Sequence, residues 1–349
     1  MSAHRVTSSA KVGGRHGRSL CAPGFTLIEL MIAMLLGLIV IAGVVSVFLS
    51  NQRVYRTNQA LGDVQDSTRI GFEMMARDIR NAGVSDCNNN GRVANVLNNS
   101  PFHSGTAWWA DWNNAVRGYG GAQTDTAVTT GTGSGQRVAG TDSLTLLGGA
   151  DTSLSVSSYA TPTFILNEKT SDLQNGDVVI VCNQDHSVLF QISSYSSPAS
   201  GVTFAHSMTG TTPGNCSNGL GFPTICTAGG TPYSFGPNSQ VTKLAAADWY
   251  IGNNPTSGLS LYRMSLNIVS GEPVPTALEM VRGVTAMSIL YHQSPAPAFV
   301  APAAVTNWTA VDAMQVTLTM ESTDNLAATD AKPITRTFTS TTAVRNRVK

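Results

Sequence analysis

Charged side chains are scarce in this 349-residue chain, since Asp, Glu, Lys and Arg together make up only 12% of it. Glycine is frequent, with 33 residues, and serine, threonine and asparagine supply much of the remaining polar surface. Charged residues normally make up about a quarter of a soluble globular domain. This composition is more typical of an exported, β-rich domain than of a cytosolic enzyme.

The common catalytic motifs are also missing. The sequence has no Gly-x-Ser-x-Gly, no His-Glu-x-x-His, no Walker-type lysine loop and no Gly-x-Gly-x-x-Gly. The six histidines are scattered, and we interpret His186 and His206 as strand or surface residues. We therefore expect that the protein is not an enzyme and needs no cofactor.

One short segment has half of a calcium-binding pattern. Asp86, Asn88 and Asn90 alternate and Gly91 follows them, as in the first half of an EF-hand loop. The twelfth position is Leu97, so the bidentate glutamate is missing. The pattern favours a polar turn after a helix, and we predict no metal site.

A long uncharged run lies near the N-terminus. Residues 30–49 are twenty residues without a charge, which as a helix span the roughly 30 Å core of a bilayer. Residues 24–29, Gly-Phe-Thr-Leu-Ile-Glu, lead into this run. A charge deep in hydrocarbon costs about 2.5–3.5 kcal/mol on insertion scales, so Glu29 indicates a function. The alternative is an ordinary membrane anchor with Glu29 at the headgroup boundary.

The order of basic leader, Gly-Phe-Thr-Leu-Ile-Glu and apolar helix resembles the class III signal of type IV pilins and pseudopilins. The resemblance implies that a prepilin peptidase cleaves between Gly24 and Phe25 on the cytoplasmic side and then methylates the amino group of Phe25. It also implies that Glu29, the fifth residue of the mature chain, pairs with the N-terminus of a neighbouring subunit. Two opposite buried charges are each penalised alone and relieved together.

The expected leader, residues 1–24, is basic. It contains Arg5, Lys11, Arg15 and Arg18 and no acid, which by the positive-inside rule holds the N-terminus in the cytoplasm. Its removal leaves 17 basic against 21 acidic residues, a net charge of −4 for the mature chain. That balance argues against a large nucleic-acid interface.

The sequence divides into this leader, an N-terminal transmembrane and assembly helix over residues 25–83, and a periplasmic head over residues 84–349. We predict one helix from Phe25 to about Asn81, about 85 Å long at 1.5 Å per residue. Gly83 marks its end. Apolar residues three and four apart place one face of its second half against the head: Leu61, Val64, Thr68, Phe72, Met75 and Ile79.

The head is predicted to be an antiparallel β-rich domain, so that the fold class is α+β. It consists of one elaborated sheet or of two lobes, and residues 131–140 are expected to form a flexible Gly/Ser/Thr-rich surface loop. Short apolar or alternating segments predict these strands: 143–147, 163–166, 177–182, 188–193, 202–205, 249–251, 259–264, 284–291, 313–320 and 334–341.

Four of the five cysteines lie in the part expected to face an oxidising periplasm, because Cys21 belongs to the leader. Four cysteines allow three connectivities. We favour a bridge from Cys216 to Cys226 across a short loop, which leaves Cys87 to pair with Cys182. The alternative is a set of reduced, buried thiols.

An aromatic cluster interrupts an Asn- and Gly-rich segment. Trp108, Trp109, Trp112 and Tyr119 would suit a sugar-binding platform or a partner-binding surface, since aromatic rings bury large areas at low entropic cost. The competing and favoured interpretation is that these rings pack the head onto the helix.

Four phrases beyond the N-terminal motif resemble the minor pilins of the PilW kind: residues 75–83, 176–181, 258–263 and 341–347. This resemblance implies a low-abundance type IV pilus subunit that joins other minor pilins in a priming complex and stays at the pilus tip. The implied partners are other minor pilins and the major pilin through the helix, the prepilin peptidase, the inner-membrane assembly platform and a large tip adhesin.

The implied location is the inner membrane, with a single pass, a cytoplasmic N-terminus and a periplasmic head, and then the pilus on the cell surface. Twitching motility and cell adhesion are the processes that such a subunit serves. Two alternative functions remain at this point. One is that the head acts as an adhesin or a DNA-uptake receptor, and the other is that the chain is a pseudopilin of type II secretion.

Overall fold

The computed structural model describes residues 24–85, 87, 92–150, 153–169, 171–199, 201–324, 326–328 and 332–345. One long helix, α1 (Leu27–Asn81), precedes a domain made mostly of strands. The strands are β1 (Val93–Asn95), β2 (Val116–Tyr119), β3 (Ser143–Gly149), β4 (Leu154–Ala160), β5 (Thr163–Leu166), β6 (Val178–Cys182), β7 (Ser187–Gln191), β8 (Ser194–Ser196), β9 (Thr203–Ala205), β10 (Gln240–Asn253), β11 (Leu259–Val269), β12 (Glu272–Arg282), β13 (Val284–Gln293), β14 (Phe299–Val300), β15 (Val311–Glu321) and β16 (Thr335–Ala343). Short 3-10 helices lie at Pro101–His103, Trp108–Ala110, Trp112–Asn114, Pro302–Ala304 and Trp308–Ala310.

By its internal contacts the chain forms two compact units, Met1–Tyr55 and Arg56–Lys349. The second unit contains the last half of α1 together with the whole β-rich head. The division predicted from sequence instead ended the helical part at residue 83. The two divisions differ because the second half of the helix is part of the head's core.

The predicted long helix is confirmed, and its end has a clear cause. Gly83 has a φ of +71°, the left-handed conformation that glycine adopts without steric cost after a helix. Its backbone N–H donates to Leu147 O at 2.7 Å, which fixes the chain to β3 where it leaves the helix.

The second half of α1 buries one face in the head. Val64, Thr68, Met75 and Ile79, all on the predicted face, are buried. Gly71 is buried in the same row, and a Cβ at this position would lie 3.5 Å from Val281 Cγ2. Spacings of three and four thus correctly predicted which side of the helix contacts the sheet.

The larger sheet has twelve strands and is organised around β10. The first half of β10 pairs with β6 and β4, and its second half lies between β3 and β11. The pairings are antiparallel except that β1 runs parallel to β7. Because one 14-residue strand belongs to both halves, the larger sheet is continuous across two lobes of the head.

The smaller sheet has four antiparallel strands in the order β14-β13-β15-β16. Alternate residues of β15, including Met314, Val316 and Leu318, are buried, while the residues between them are partly exposed. This period of two is what the sequence predicted for a half-buried strand.

Four clusters of buried hydrophobic residues lie in the described part of the chain, and the smallest consists of Ala60, Ala327 and Ile334. The first joins α1 to both sheets through residues such as Met75, Trp249 and Leu318. The second fills the lobe around β4–β9 and includes Phe164 and Phe190. The third lies around β6, β7 and the start of β10.

Two disulfides close loops of very different length. Cys87 pairs with Cys182 over a sequence separation of 95 residues, and Cys216 pairs with Cys226 over a separation of 10. These are the two pairs that the sequence favours. The first ties the segment after α1 to β6, and the second closes a surface loop.

Candidate functional site

The N-terminal motif is fully exposed in the isolated chain. Gly24, Phe25 and Thr26 precede the helix, and Phe25 is 88% exposed. The peptide bond between Gly24 and Phe25 lies outside regular structure, so a protease can bind it in an extended conformation. The residues before Gly24 lie outside the described part of the chain.

Thr26 and Glu29 form a capping box at the start of α1. The N–H and the hydroxyl of Thr26 both donate to Glu29 Oε2 at 3.0 Å, and the N–H of Glu29 donates back to Thr26 Oγ1 at 3.3 Å. A capping box satisfies backbone donors that the first turn of a helix leaves free. The sequence analysis missed it, although Thr-x-x-Glu before an apolar run is its usual signal.

Within the described part of the chain, nothing covers the apolar part of α1. Every residue from 24 to 55 except Gly37 is exposed, including the side chains of the uncharged run 30–49. By length and composition this helix can cross a membrane. A contiguous apolar surface of this size is stable only in lipid or against other apolar helices.

Residues 22–45 match the family model described as the prokaryotic N-terminal methylation motif. The chain therefore has a type IV pilin-like class III signal. The match includes Gly24, Phe25, Glu29 and most of the apolar run 30–49. It supports a type IV pilin or pseudopilin that is processed by a prepilin peptidase and assembles with other pilus-type components. No curated protein and no solved structure matches the chain.

A second candidate site lies where the end of α1 meets the head. Asp78 Oδ2 accepts hydrogen bonds from Arg263 Nε at 2.7 Å and from Trp249 Nε1 at 2.9 Å. The Asp78 and Arg263 side chains are only 20% and 23% exposed, so solvent screens this ion pair weakly. No local sequence pattern predicts this contact, because Asp78 and Arg263 are 185 residues apart in sequence.

Two of the other three PilW-like phrases each contact the phrase 75–83 at the end of α1. Asp78 belongs to the phrase 75–83, and Arg263 ends the phrase 258–263. From the phrase 341–347, the N–H of Arg345 donates to the carbonyl of Arg80 at 3.3 Å. The phrase 176–181 lies elsewhere, where the buried carboxylate of Asp177 pairs with Lys243 Nζ at 2.7 Å.

The tryptophan cluster does not form an open binding platform. Trp108 and Trp109 are only 7% and 4% exposed, and Trp112 is half-buried beside them. Their cluster includes Leu147 and Ile180 of the sheet. The prediction of a binding surface is therefore wrong for Trp108 and Trp109. The rings also pack inside the β-rich head, not between the head and α1 as the competing interpretation had it.

The Cys216–Cys226 bridge has a histidine beside it. His103 Nδ1 lies 3.2 Å from Cys226 Sγ, and His103 Nε2 lies 2.7 Å from the carbonyl of Asn95. These three side chains have the composition of a soft-metal site, but the two sulfurs are bonded to each other. Thiolate, not disulfide sulfur, is the ligand such a site requires.

The EF-hand-like pattern falls on Asp86, Asn88, Asn90 and Gly91, which lie outside the described residues. Leu97, at the twelfth position, is fully buried and pairs in a bridge with Asn215. His186 and His206, interpreted from the sequence as strand or surface residues, are both buried and lie just outside β7 and β9. His186 Nε2 lies 2.7 Å from Leu220 O.

Proposed function

We propose that this chain is a minor pilin of the PilW kind, which helps to start type IV pilus assembly within a priming complex. The observation that carries the proposal is the methylation motif at residues 22–45, followed by a helix whose uncharged residues 30–49 are exposed. A helix with this surface needs apolar neighbours, and the motif supplies the signal for delivery to such an assembly.

The contacts at the end of α1 favour the PilW-like assignment. The phrases 258–263 and 341–347, which are more than 70 residues apart in sequence, both contact the phrase 75–83, through Arg263 with Asp78 and through Arg345 with Arg80. Residues that hold the helix to the head are those that a group of related subunits would need in common. The resemblance in these phrases therefore corresponds to contacts between the end of α1 and the head.

The apolar surface of α1 stays buried when the subunit moves from the membrane into the pilus. When α1 leaves the bilayer, the apolar helices of other minor pilins and of the major pilin replace the lipid around it. The further proposed partners are the prepilin peptidase, the inner-membrane assembly platform and a large tip adhesin. A head of more than 250 residues is larger than a repeating lattice subunit needs, which favours a priming and tip position.

The proposed location follows from the same features. The basic leader keeps the N-terminus in the cytoplasm, α1 crosses the inner membrane once, and the head lies in the periplasm before the subunit joins the surface pilus. Two disulfides suit that oxidising compartment. We propose a structural role without catalysis or a cofactor, in twitching motility and adhesion, and we expect no nucleic-acid ligand.

A pseudopilin of type II secretion is the second candidate, because the methylation motif supports both machines equally. A sugar-binding adhesin head is less favoured, because Trp108 and Trp109 are buried.

Deletion of the gene tests the proposal, with complementation by wild type, Glu29→Ala and Glu73→Gln. Glu73 lies on the same helix, and its side chain is 66% exposed in a pair with Arg69. We expect the deletion strain to lose surface pili and twitching, and the wild type and Glu73→Gln to restore both while Glu29→Ala does not. Normal piliation with failed protein export would show a pseudopilin instead, and normal piliation with lost adhesion would assign the function to the head.

A further inference from the structure

Residues 120–142 cover the face of the large sheet that points away from α1. Along β3, Leu144 and Leu146 belong to the core shared with α1, so Ser143 and Thr145 point to the opposite face. On β10, Asp248 lies directly opposite Thr145 and faces the same way. This face is therefore lined by hydroxyl and carboxyl groups, and residues 120–142 exclude water from it.

The segment is ordered, contrary to the sequence prediction of a flexible loop at residues 131–140. The N–H of Val138 donates to Ile251 O at 2.8 Å, and the N–H of Gly135 donates to Asn253 O at 2.8 Å. The hydroxyl of Tyr250 donates to Gly135 O at 2.9 Å. These bonds continue the ladder of β10 beyond the point where its pairing with β3 ends.

A buried arginine organises the turns of the segment. Arg137 is 1% exposed, and its Nη atoms donate to the carbonyls of Gln123 at 3.1 Å, Gly120 at 3.0 Å and Thr141 at 2.5 Å. A buried cation needs compensating negative charge, because carbonyl groups alone supply only partial charges.

Two buried carboxyl groups supply that charge. Asp125 of the segment and Asp248 of β10 are 4% and 0% exposed, and their side chains contact each other. Ser143 Oγ donates to Asp125 Oδ2 at 2.5 Å, and Thr145 Oγ1 donates to Asp248 Oδ2 at 2.7 Å. Asp248 Oδ1 is buried and has no N–H or hydroxyl partner. Two carboxyl groups in contact need one proton between them, and Asp248 Oδ1 is the oxygen free to hold it.

With that proton, Arg137, Asp125 and Asp248 together carry no net charge. Arg137 contributes one positive charge, Asp125 one negative charge, and protonated Asp248 none. Burial, and next the charge of Asp125, raise the pKa of Asp248 well above its usual range, and burial raises the pKa of Asp125.

A second cation, Arg117 of β2, pairs with Thr145 in the sheet and lies over the ring of Tyr119, 5.5 Å from its centroid. Arg117 is partly exposed, so among the described residues Arg137 is the cation buried with the two carboxyl groups. Burial raises the pKa values of Tyr119, Tyr250 and Tyr291, so these phenols remain neutral. Burial also raises the pKa of Asp142, which accepts hydrogen bonds from the N–H groups of Gly121 and Ile289. Loss of the shared proton therefore leaves one uncompensated negative charge in the interior.

We propose that Asp125 and Asp248 form a proton-dependent latch, in which one shared proton holds residues 120–142 on the sheet. When the proton is lost, the two carboxylates repel each other, the segment opens, and the hydroxyl-lined face of β3 and β10 becomes accessible. The latch lies wholly within the head and does not depend on the pilin assignment.

The direction of the pH effect follows from linkage. A carboxyl group whose pKa is raised by folding binds its proton more tightly in the native than in the unfolded state. The stabilisation is fully present below the unfolded-state pKa and is lost as the pH rises through the native-state pKa. The latch is thus closed in acid and opens towards alkaline pH.

Hydrogen exchange of the full mature chain in detergent micelles tests this latch. Exchange is followed by mass spectrometry over a pH series and corrected for the intrinsic exchange rate, with peptides from β13 and β15 as an internal reference. We expect protection of residues 120–142 to fall at least about tenfold as the pH rises, the change that corresponds to one pKa unit. Protection of the reference strands should stay constant.

Asp248→Asn is the decisive variant, because an amide N–H donates to Asp125 without titrating. Protection of residues 120–142 should become independent of pH in Asp248→Asn, whereas the exposed-site control Asp185→Asn should behave as wild type. The same pH profile in wild type and Asp248→Asn would overturn the proposal, as would a loss of protection spread evenly over the head.

A measurement on the wild type alone covers the case in which Asp248→Asn does not fold. Infrared spectroscopy should show a protonated carboxyl band that persists where ordinary carboxyl groups are ionised and disappears together with the protection. Absence of that band would overturn the latch. Repeating the exchange with Ca²⁺ and with EDTA separates a proton from a bound cation, and protection that follows Ca²⁺ rather than pH would also contradict the proposal.

Discussion

Arg263 of β11 donates to Asp78 near the end of α1 through Nε at 2.7 Å, and the indole N–H of Trp249 donates to the same carboxylate oxygen. One carboxylate therefore joins the helix to two adjacent strands of the large sheet. This joint therefore holds the end of α1 to the head.

We predict that Asp78→Ala destabilises the head by about 1–3 kcal/mol, because it leaves a largely buried guanidinium and an indole N–H without an acceptor. Urea unfolding followed by tryptophan fluorescence measures this change. Glu73→Gln on the same helix breaks an exposed pair and should change the stability by less than about 0.5 kcal/mol. Equal effects of the two substitutions would show that the joint is not an anchor.

Glu29 has two separable roles in this account. In the isolated chain its carboxylate caps α1 through Thr26, and in the assembled filament it is proposed to pair with the amino group of a neighbouring Phe25. Gln also serves in a capping box, so Glu29→Gln keeps the cap and removes the charge. We predict that Glu29→Gln protein is cleaved normally and keeps its helix start, but is not incorporated into pili.

NMR of the first helical turn in micelles and immunoblots of sheared pili provide the two measurements for Glu29→Gln. Thr26→Ala is the converse variant, since it removes the hydroxyl but keeps the charge. It should cost about 0.5–2 kcal/mol of local helix stability and still allow incorporation. Incorporation of Glu29→Gln at the wild-type level would exclude the proposed charge pairing.

Gly71 can be tested as a packing position. A Cβ there would meet Val281 Cγ2 at 3.5 Å and Leu261 Cδ2 at 3.6 Å, which is ordinary van der Waals contact. Gly71→Ala should therefore stabilise the head by about 0.5–1 kcal/mol through helix propensity, as should Gly62→Ala, which has open space around it. Gly71→Leu should destabilise it by about 1–3 kcal/mol through overpacking. Thermal unfolding distinguishes these cases, and a loss of stability in Gly71→Ala would contradict the packing.

The sequence predicted the parts of the fold in which local pattern and burial agree. The helix, its buried face and its glycine end all follow from residue spacing. Strand β12 was missed because Pro273 and Pro275 argue against a central strand, and β12 in fact pairs with β11 alone. Only residues 249–251 of β10 were predicted, since Lys243 and Asp248 interrupt the apolar pattern.

The candidate sites divide in the same way. Gly24, Phe25 and Glu29 form a local motif and were found, whereas Asp78–Arg263 and Asp125–Asp248 are contacts across 185 and 123 residues. No local pattern in the sequence indicates which distant carboxylate meets which partner. Packing of Trp108 and Trp109 was favoured from the sequence, but their partners in the sheet were not predicted, because these strands follow later in the chain.

His206 gives the head a second pH dependence with the opposite sign. Burial lowers the pKa of His206 to about 4, and its Nε2 lies 3.0 Å from the hydroxyl of Tyr159. The unfolded chain binds the proton more tightly, so stability is lost as the pH falls from about 6.5 to about 4, by about 3 kcal/mol. Urea unfolding at several pH values should show this loss in wild type and a flatter profile in His206→Gln. Identical profiles would exclude His206 as the cause.

The central claim is that residues 24–29 are a processed pilin signal, and mass spectrometry of the N-terminal peptide from cells tests it most directly. We predict a mature chain that begins at Phe25 with one methyl group on its amino nitrogen, and an uncleaved chain in cells that lack the prepilin peptidase. A chain that keeps its leader, or that is cut after the apolar run 30–49, would contradict the account.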